Sequence, residues 1–494
     1  MRPVWRVADV RAAEAGLLAT LPPGTLMRRA AAGLARRCAL LLADRGGVYG
    51  ARVLLLVGSG DNGGDALFAG EHLARRGAAV SALLVDPERV HAEGSAALRA
   101  AGGRVVDSPP ATVDLVVDGI VGIGGRGGLR ETAKQLAGGL IRHRGRDGRR
   151  ATVVAVDVPS GVAVDTGDVP STAAGRPDAV HADVTVTFGA WKPALVVGPA
   201  AALTGEVELV DIGLGPWLRG TPALHVVEGS DVADCWPDLG PASEKYTRGV
   251  VGVATGSRTY PGAAVLSVGG ALAGPAGLVR YAGGARDEVL RVHPSVIATG
   301  RVADAGRVQA WVCGSGLGTG AEAVGELRAV LATSVPVVLD ADALTLLVDG
   351  SMADLLRRRD APVVVTPHDR EYARLCGEQP GADRVAATMR LAAWMNAVVL
   401  LKGDRTVIGT PDGRAYVNPT GSAALATGGT GDVLAGLLGS LLAAGVRADR
   451  AAAVAAYLHG LAGREAARGG PVTAPDVVAA LRPVLGRTGE IPWK

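Results

Sequence analysis

Short apolar runs that do not alternate between polar and apolar positions set the strongest constraint on this chain. In the first half they are Val53–Val57, Val80–Val85, Leu115–Asp118, Val153–Val158 and Val184–Thr187, with helical stretches such as Asp65–Arg76 between them. A strand exposed on one face would alternate; continuous runs of Val and Leu suit parallel strands covered by helices on both faces. The pattern restarts at Gly249–Ala254 and runs on through Val289–Val292, Ala310–Cys313, Val335–Leu339, Pro362–Val365 and Val398–Leu401. A hairpin is expected next, Thr406–Ile408 with Ala415–Val417 turning at Pro411–Gly413, and then Ala-rich helices from about Thr430. The expectation is an α/β protein of two domains, each a doubly wound sheet. Gly and Pro cluster between Gly213 and Gly229, which sets the boundary at residues 1–222 and 223–494.

Composition narrows the function. At 494 residues with 48% hydrophobic content, the chain can bury two cores. Its 51 Lys and Arg against 48 Asp and Glu leave a net charge of +3, without the concentrated basic excess of a nucleic-acid binder. The basic clusters Arg142–Arg150 and Arg357–Arg359 read as solvated faces. Cys38, Cys235, Cys313 and Cys376 are scattered, which argues against a disulfide framework or zinc site and fits a reducing compartment. No apolar stretch approaches the roughly 20 residues that cross a bilayer, so a cytoplasmic protein without membrane or nucleic-acid partners is expected.

Two glycine-rich loops follow strands. Gly58, Gly60 and Gly63 match the G-x-G-x-x-G spacing, which lets main-chain N–H groups approach a phosphate at a helix N-terminus. A nicotinamide-linked dehydrogenase is one reading, with Asp86 at the next strand end as ribose-binding acid. Against it, Asn62 and Asp65 make the turn polar, and two further strands end in acids: Asp118 before Gly122–Gly128, and Asp157 in Asp157-Val-Pro-Ser-Gly161. Ligands of open α/β sheets lie at the C-terminal ends of the strands, where these loops would converge. In the second half, Gly428-Gly-Thr-Gly-Asp432 opens a helix, as an anion cradle ending in an acid placed to accept a hydroxyl proton.

The order N-G-G-D, D-x-x-x-G-x-G, D-x-P-S-G over roughly the first 215 residues resembles the YjeF N-terminal domain, the NAD(P)H-hydrate epimerases, a Rossmann-like fold. That resemblance implies a potassium ion on Asn62, Asp118 and Ser160. It also implies substrate contacts from Asp61, Asn62, Gly63, Gly64 and Asp65 and from Gly122, Ile123, Gly124, Gly125, Arg126, Gly127 and Gly128, with Asp157 as acid/base at C6. Asp61 and Ala66 depart from the family, which usually has Asn and Gly there.

From about Glu244 onward the chain resembles the ribokinase-like YjeF C-terminal domain, the ADP-dependent NAD(P)H-hydrate dehydratases. The resemblance is carried by Tyr260-Pro-Gly-Ala263, Gly314-Ser-Gly-Leu-Gly318, Leu339-Asp-Ala-Asp-Ala-Leu344, Thr366-Pro-His368, Leu401-Lys-Gly403 and Ala426–Gly436. It implies that Ala263, Gly316, Gly318 and His368 contact the hydrated nucleotide. Lys402, Gly403, Asp404, Arg405, Thr406, Gly431 and Asp432 would hold ADP, with magnesium on its phosphates and Asp432 as the base. His368 taken alone reads as a structural hydrogen-bonder. Thr345 and Arg370 depart from the family pattern. Expected partners are hydrated NAD(P)H and ADP, and a homo-oligomer is expected. The competing reading is a small-molecule (vitamin-precursor) kinase fused to a non-catalytic Rossmann-like binding domain.

Overall fold

A computed structural model describes residues 1–125, 127–138, 143–172 and 175–487. They form two compact units, Pro3–Ala223, and Leu224 to the C-terminus together with Met1–Arg2.

The first unit is a parallel sheet. Its strands lie in the order Arg104–Val105, Ala79–Leu84, Arg52–Val57, Leu115–Gly119, Thr152–Val156, Val184–Phe188 and Glu206–Val210. The chain begins mid-sheet at Arg52–Val57, winds outward one way, then returns to build the other side from Leu115–Gly119. Strand order therefore reverses between these two strands, the point at which open α/β sheets bind ligands, beyond the C-terminal ends of the strands. Side chains along each strand divide between two apolar layers. Val53, Leu55 and Val57 pack under helices Val7–Leu18, Thr25–Ala43 and Asp61–Arg75, while Leu54 and Leu56 face the opposite layer with Val116 and Val153. Burial on both faces explains why these runs carry no polar alternation. Strand Glu206–Val210 was not anticipated, because at the sheet edge it alternates charged and apolar residues rather than forming an apolar run.

The second unit repeats the plan. Strands Ile297–Thr299, Leu278–Ala282, Val250–Ala254, Ala310–Cys313, Val337–Leu339, Val363–Val365 and Val398–Leu401 are parallel neighbours. The hairpin Val407–Gly409 and Ala415–Val417 follows antiparallel, with Leu224–Val226 beyond it. Apolar layers cover both faces, giving α/β/α layering. One expected strand is corrected: Val289–Val292 lies in helix Arg286–Val292. Its apolar residues do not line one strand face; Val289 is buried while Leu290 and Val292 are exposed, and Asp287 and Glu288 suit a helix's first turn. The strands are instead Leu278–Ala282 and Ile297–Thr299 on either side. No helix among the described residues is long and apolar enough to cross a membrane.

Candidate functional sites

In the first unit the turns beyond the two central strands are close-packed main chain. A Cβ on Gly58 would come within 1.9 Å of the Ile120 carbonyl oxygen, and one on Gly63 within 2.2 Å of the Gly58 carbonyl oxygen. Neither position accepts a side chain, so at Gly58 the loops after the two central strands meet backbone to backbone. Helix Asp61–Arg75 starts directly from this turn. Asp61 is exposed in its first turn, whereas Gly63, Gly64 and Asp65 are buried. Ala66 packs its methyl against Gly119, which absorbs the extra carbon that the usual glycine lacks.

Asp118 is fully buried at the end of its strand. Its carboxylate accepts from the Ser160 hydroxyl at 2.6 Å and from the Ser160 amide at 2.9 Å. Ser160 Oγ in turn accepts from the Val121 amide at 2.9 Å. Asn62 donates to the Val156 carbonyl at 2.6 Å and lies so close to Gly122 that a Cβ there would meet its Oδ1 at 2.1 Å. Asp118, Ser160 and Val121 thus form one bonded knot, and Asn62 reaches the same loop at Gly122. Burial pushes the Asp118 carboxyl up to about 6, and among the described residues no basic side chain pairs with it. Ile123, Gly124, Gly125, Gly127 and Gly128 continue the loop beside this knot, with Gly128 donating to the Gly161 carbonyl at 2.7 Å. Arg126 lies outside the described residues.

Asp157 has a left-handed backbone (φ 68°), uncommon for a residue with a side chain and a marker of a site held in strain. Its carboxylate is ion-paired with buried Lys192 and accepts from Thr187 Oγ1 at 3.0 Å. Lys192 also donates to Thr187 Oγ1 and to the Phe188 carbonyl, each at 2.9 Å. Sequence reading missed this lysine. Asp65 faces the same group: its Oδ1 has no hydrogen-bond partner among the described residues. Burial first, then the charges of Asp157, Asp61 and Glu14, raise its carboxyl well above the ordinary range. Glu14, on helix Val7–Leu18, is itself raised by burial and belongs to this acidic group.

The second unit holds a cleft of about 980 Å³ at the C-terminal ends of its strands. His368, Lys402, Gly403, Asp404, Thr406, Gly431 and Asp432 all line it, as do Asp340 and His459. Arg405 does not; it donates to the Pro419 carbonyl at 2.6 Å and braces the loop below. Ala263 and Gly316 adjoin each other, since a Cβ on Gly316 would meet the Ala263 methyl at 2.8 Å. Gly318 donates its amide to Asp342 at 2.8 Å. His368 caps helix Asp369–Cys376: its Nδ1 accepts from the amides of Arg370 and Glu371, so the structural role is real, and its exposed edge faces the cleft. Thr345 accepts a bond from Arg374 at 2.6 Å, so this departure from the family joins two helices on the unit's outside. Arg370, the other departure, lies at the cleft rim.

Lys402 is anchored on Asp340 (2.6 Å) with Glu371 at 3.6 Å. Burial works against its charge, but these two carboxylates outweigh burial and raise its pKa. Asp432, in the first turn of helix Thr430–Ala443, is pushed up to about 7 by burial and by the negative charge of Asp340. A carboxylate poised near neutrality in a cleft suits general-base work. The helix is held by close contact with Pro261–Ala273: a Cβ on Gly436 would meet the Ser267 carbonyl oxygen at 1.9 Å, and one on Gly270 the Val433 carbonyl oxygen at 2.1 Å.

Comparison with known proteins agrees with both halves. Residues 23–194 match the family model of the YjeF-related protein N-terminus, and residues 251–481 match that of NAD(P)H-hydrate dehydratase. The chain is 51% identical over 454 residues to the bifunctional NAD(P)H-hydrate repair enzyme Nnr of Mycobacterium tuberculosis (strain ATCC 25618 / H37Rv), covering 92% of each chain. It is 50% identical over 477 residues to that of Mycobacterium leprae (strain TN), covering 96% of each. Among solved structures, the ADP/ATP-dependent NAD(P)H-hydrate dehydratase of Bacillus subtilis, co-crystallised with ATP and Mg2+, is 28% identical. It aligns with 54% of this chain and 99% of its own, at a TM-score of 0.48. With an epimerase-type unit followed by a dehydratase-type unit, this chain belongs to the family of bifunctional NAD(P)H-hydrate repair enzymes.

Proposed function

We propose that the first unit interconverts the R and S hydrates of NADH and NADPH at C6, and that the second dehydrates the S form at the expense of ADP. The observation that carries this reading is the pair of buried acids, Asp157 on Lys192 and Asp432 beside Lys402, each at the C-terminal edge of a sheet next to a glycine-built loop. The hydrate is a hemiaminal, so its hydroxyl leaves and returns when one proton is moved. Asp157 is the group that moves it, with Lys192 holding the carboxylate in place. Asp61 to Asp65 and the loop from Gly122 to Gly128 hold the nucleotide.

A potassium ion fits the knot of Asn62, Asp118 and Ser160. The donors there are all oxygens, and the buried Asp118 charge has no basic partner among the described residues. Such an ion would offset that charge and draw a substrate phosphate towards the loop. Magnesium fits differently. No cluster of three or more His, Cys, Asp or Glu suited to a metal occurs among the described residues. That suits Mg2+ arriving on the nucleotide phosphates, which it favours over all-protein cages, and there it would neutralise phosphate charge.

In the second unit Asp432 takes the proton of the C6 hydroxyl as that oxygen bonds to the β-phosphorus of ADP. The P–O bond to the α-phosphate breaks and AMP leaves. Loss of the ring's C5 proton with the C6 phosphate then restores the dihydronicotinamide and releases orthophosphate. Lys402 and the amides after Gly428 face the phosphates, and Ala263, Gly316, Gly318 and His368 face the nicotinamide side. The test is to incubate the protein with mixed hydrates, ADP, Mg2+ and K+, and follow dihydronicotinamide absorbance and AMP. Full recovery is expected, whereas recovery from the S form alone would refute an active first unit. Asp432→Asn should abolish dehydration and leave epimerisation intact; comparable dehydration by this variant would overturn the assigned base. A stable phosphorylated product with ATP consumed would favour the kinase reading.

A further inference from the structure

Strand Val337–Leu339 ends in Asp340, a residue outside the set that the resemblance assigns to ligands, yet a buried acid bonded to side chains from three other segments. It is 2% exposed. One oxygen accepts from Lys402 Nζ at 2.6 Å and from Thr366 Oγ1 at 2.7 Å; the other accepts from Ser315 Oγ at 3.0 Å. The Ser315 hydroxyl, which gives its proton to Asp340, also favours the charged form of Asp432. Asp340 Oδ2 and Lys402 Nζ both face the backbone of Gly431, within 3.8 and 3.5 Å of where its Cβ would stand. The next residue, Ala341, has φ 51°, a left-handed conformation that alanine adopts only under constraint. Strain of this kind persists where the surrounding bonds over-determine it, and here it turns the chain so that Asp340 faces the cleft while Asp342 binds Gly318.

We propose that Asp340 is a positioning residue of the dehydration: its buried charge beside Gly431 sets when Asp432 can accept a proton, and through its ion pair it aims Lys402 at the nucleotide phosphates. The proposal rests on Asp432 being the base. The charged and titratable groups around Asp432 are Asp340 from one strand end, Asp342 from the helix that follows, Lys402 from the next loop with Glu371 and His368 behind it, and His459 from helix Ala448–Ala466. Asp340 and Asp342 disfavour the charged form of Asp432, while Lys402 and the Ser315 hydroxyl favour it. Asp340 keeps its own charge, because the Lys402 ammonium and three hydrogen bonds outweigh the burial that raises its pKa and leave it below the ordinary range. It is therefore a fixed negative charge beside a group that titrates near neutrality.

Asp340 and Ser315 act on Asp432 in opposite senses, and that separates positioning from mere folding. Dehydration of S hydrate is measured against pH in the full-length protein. The acid limb of the native enzyme should lie near pH 7, the value to which Asp432 is pushed. Asp340→Asn removes the opposing charge and should lower that limb by roughly one pH unit, while raising KM for ADP several-fold because Lys402 loses its anchor. Ser315→Ala removes a donor that favours the ionised form and should raise the limb, with Ser315→Thr restoring it. A structural role would lower kcat at every pH without moving the limb. Limbs that stay at the native position in both variants, or move in the same direction, would overturn the proposal. Asp432→Asn run beside them isolates the underlying reading: if it still dehydrates, the base is misassigned, whereas if it is dead and the limbs do not move, only the role of Asp340 fails.

Discussion

Exchanging Lys192 for methionine tests the first site most directly. Methionine keeps most of the stem volume and removes the ammonium, which in the native protein meets Asp157, Thr187 and the Phe188 carbonyl with 1% of the lysine exposed. The carboxylate is then left buried without its counter-charge, and two further acceptors lose their donor. Breaking one side of a buried pair in this way costs about 3–5 kcal/mol. For a unit of this size that corresponds to a fall in melting temperature of about 6–20 °C. The double variant Asp157→Asn, Lys192→Met removes both charges of the pair, and asparagine tolerates the left-handed backbone at this position, so it should recover at least half of that loss. Calorimetry gives the stability and conversion of R hydrate gives the activity. Both variants should lose epimerisation by at least about 100-fold, the usual worth of a positioned acid/base, while S-hydrate dehydration continues. If Lys192→Met melts within a degree of the native protein, or if the two substitutions are additive, the pair does not have the energetic weight argued here.

Three further outcomes are expected. Burial holds the His459 imidazole down to about 4, and its Nε2 has no partner among the described residues. The unfolded chain binds a proton below about 6.5, so this residue's contribution is complete above 6.5 and is lost as pH falls towards 4. Stability should decline by about 3 kcal/mol across that window, and His459→Gln should flatten the decline in urea titrations. Potassium should raise the melting temperature of the native protein by binding the folded state alone, and should do so far less in Asn62→Ala, followed by scanning calorimetry in KCl against LiCl. Gly436→Ala drives a methyl into the Ser267 carbonyl and should cost about 1–3 kcal/mol with a larger loss of dehydration than of epimerisation, read by chemical denaturation and the two activity assays.

The layers of the fold were legible because both sheets are covered on both faces. Val53–Val57 and Val398–Leu401 could not be mistaken for amphipathic strands. The reading failed where that signal weakens. Glu206–Val210 sits at a sheet edge, and Val289–Val292 gathers three apolar residues in four without being a strand. At the sites, loop motifs gave away the glycines and the acids that punctuate them. Lys192 and Glu14 carry no such mark: one follows a tryptophan in an irregular segment and the other lies on a helix far along the chain, and only tertiary packing brings them to Asp157. Asp340 stands inside the Leu339–Leu344 motif, but its bonds to Thr366, Ser315 and Lys402 come from three other segments.

The contact of Gly58 with Ile120 and of Gly63 with Gly58 has a consequence for binding entropy. A surface built from peptide groups has no rotamers to freeze, so an arriving anion meets dipoles whose directions were settled when the protein folded. The ordering cost that a lysine- or arginine-lined pocket incurs at each encounter, on the order of 0.5–1.5 kcal/mol per long side chain, is absent from that part of the site.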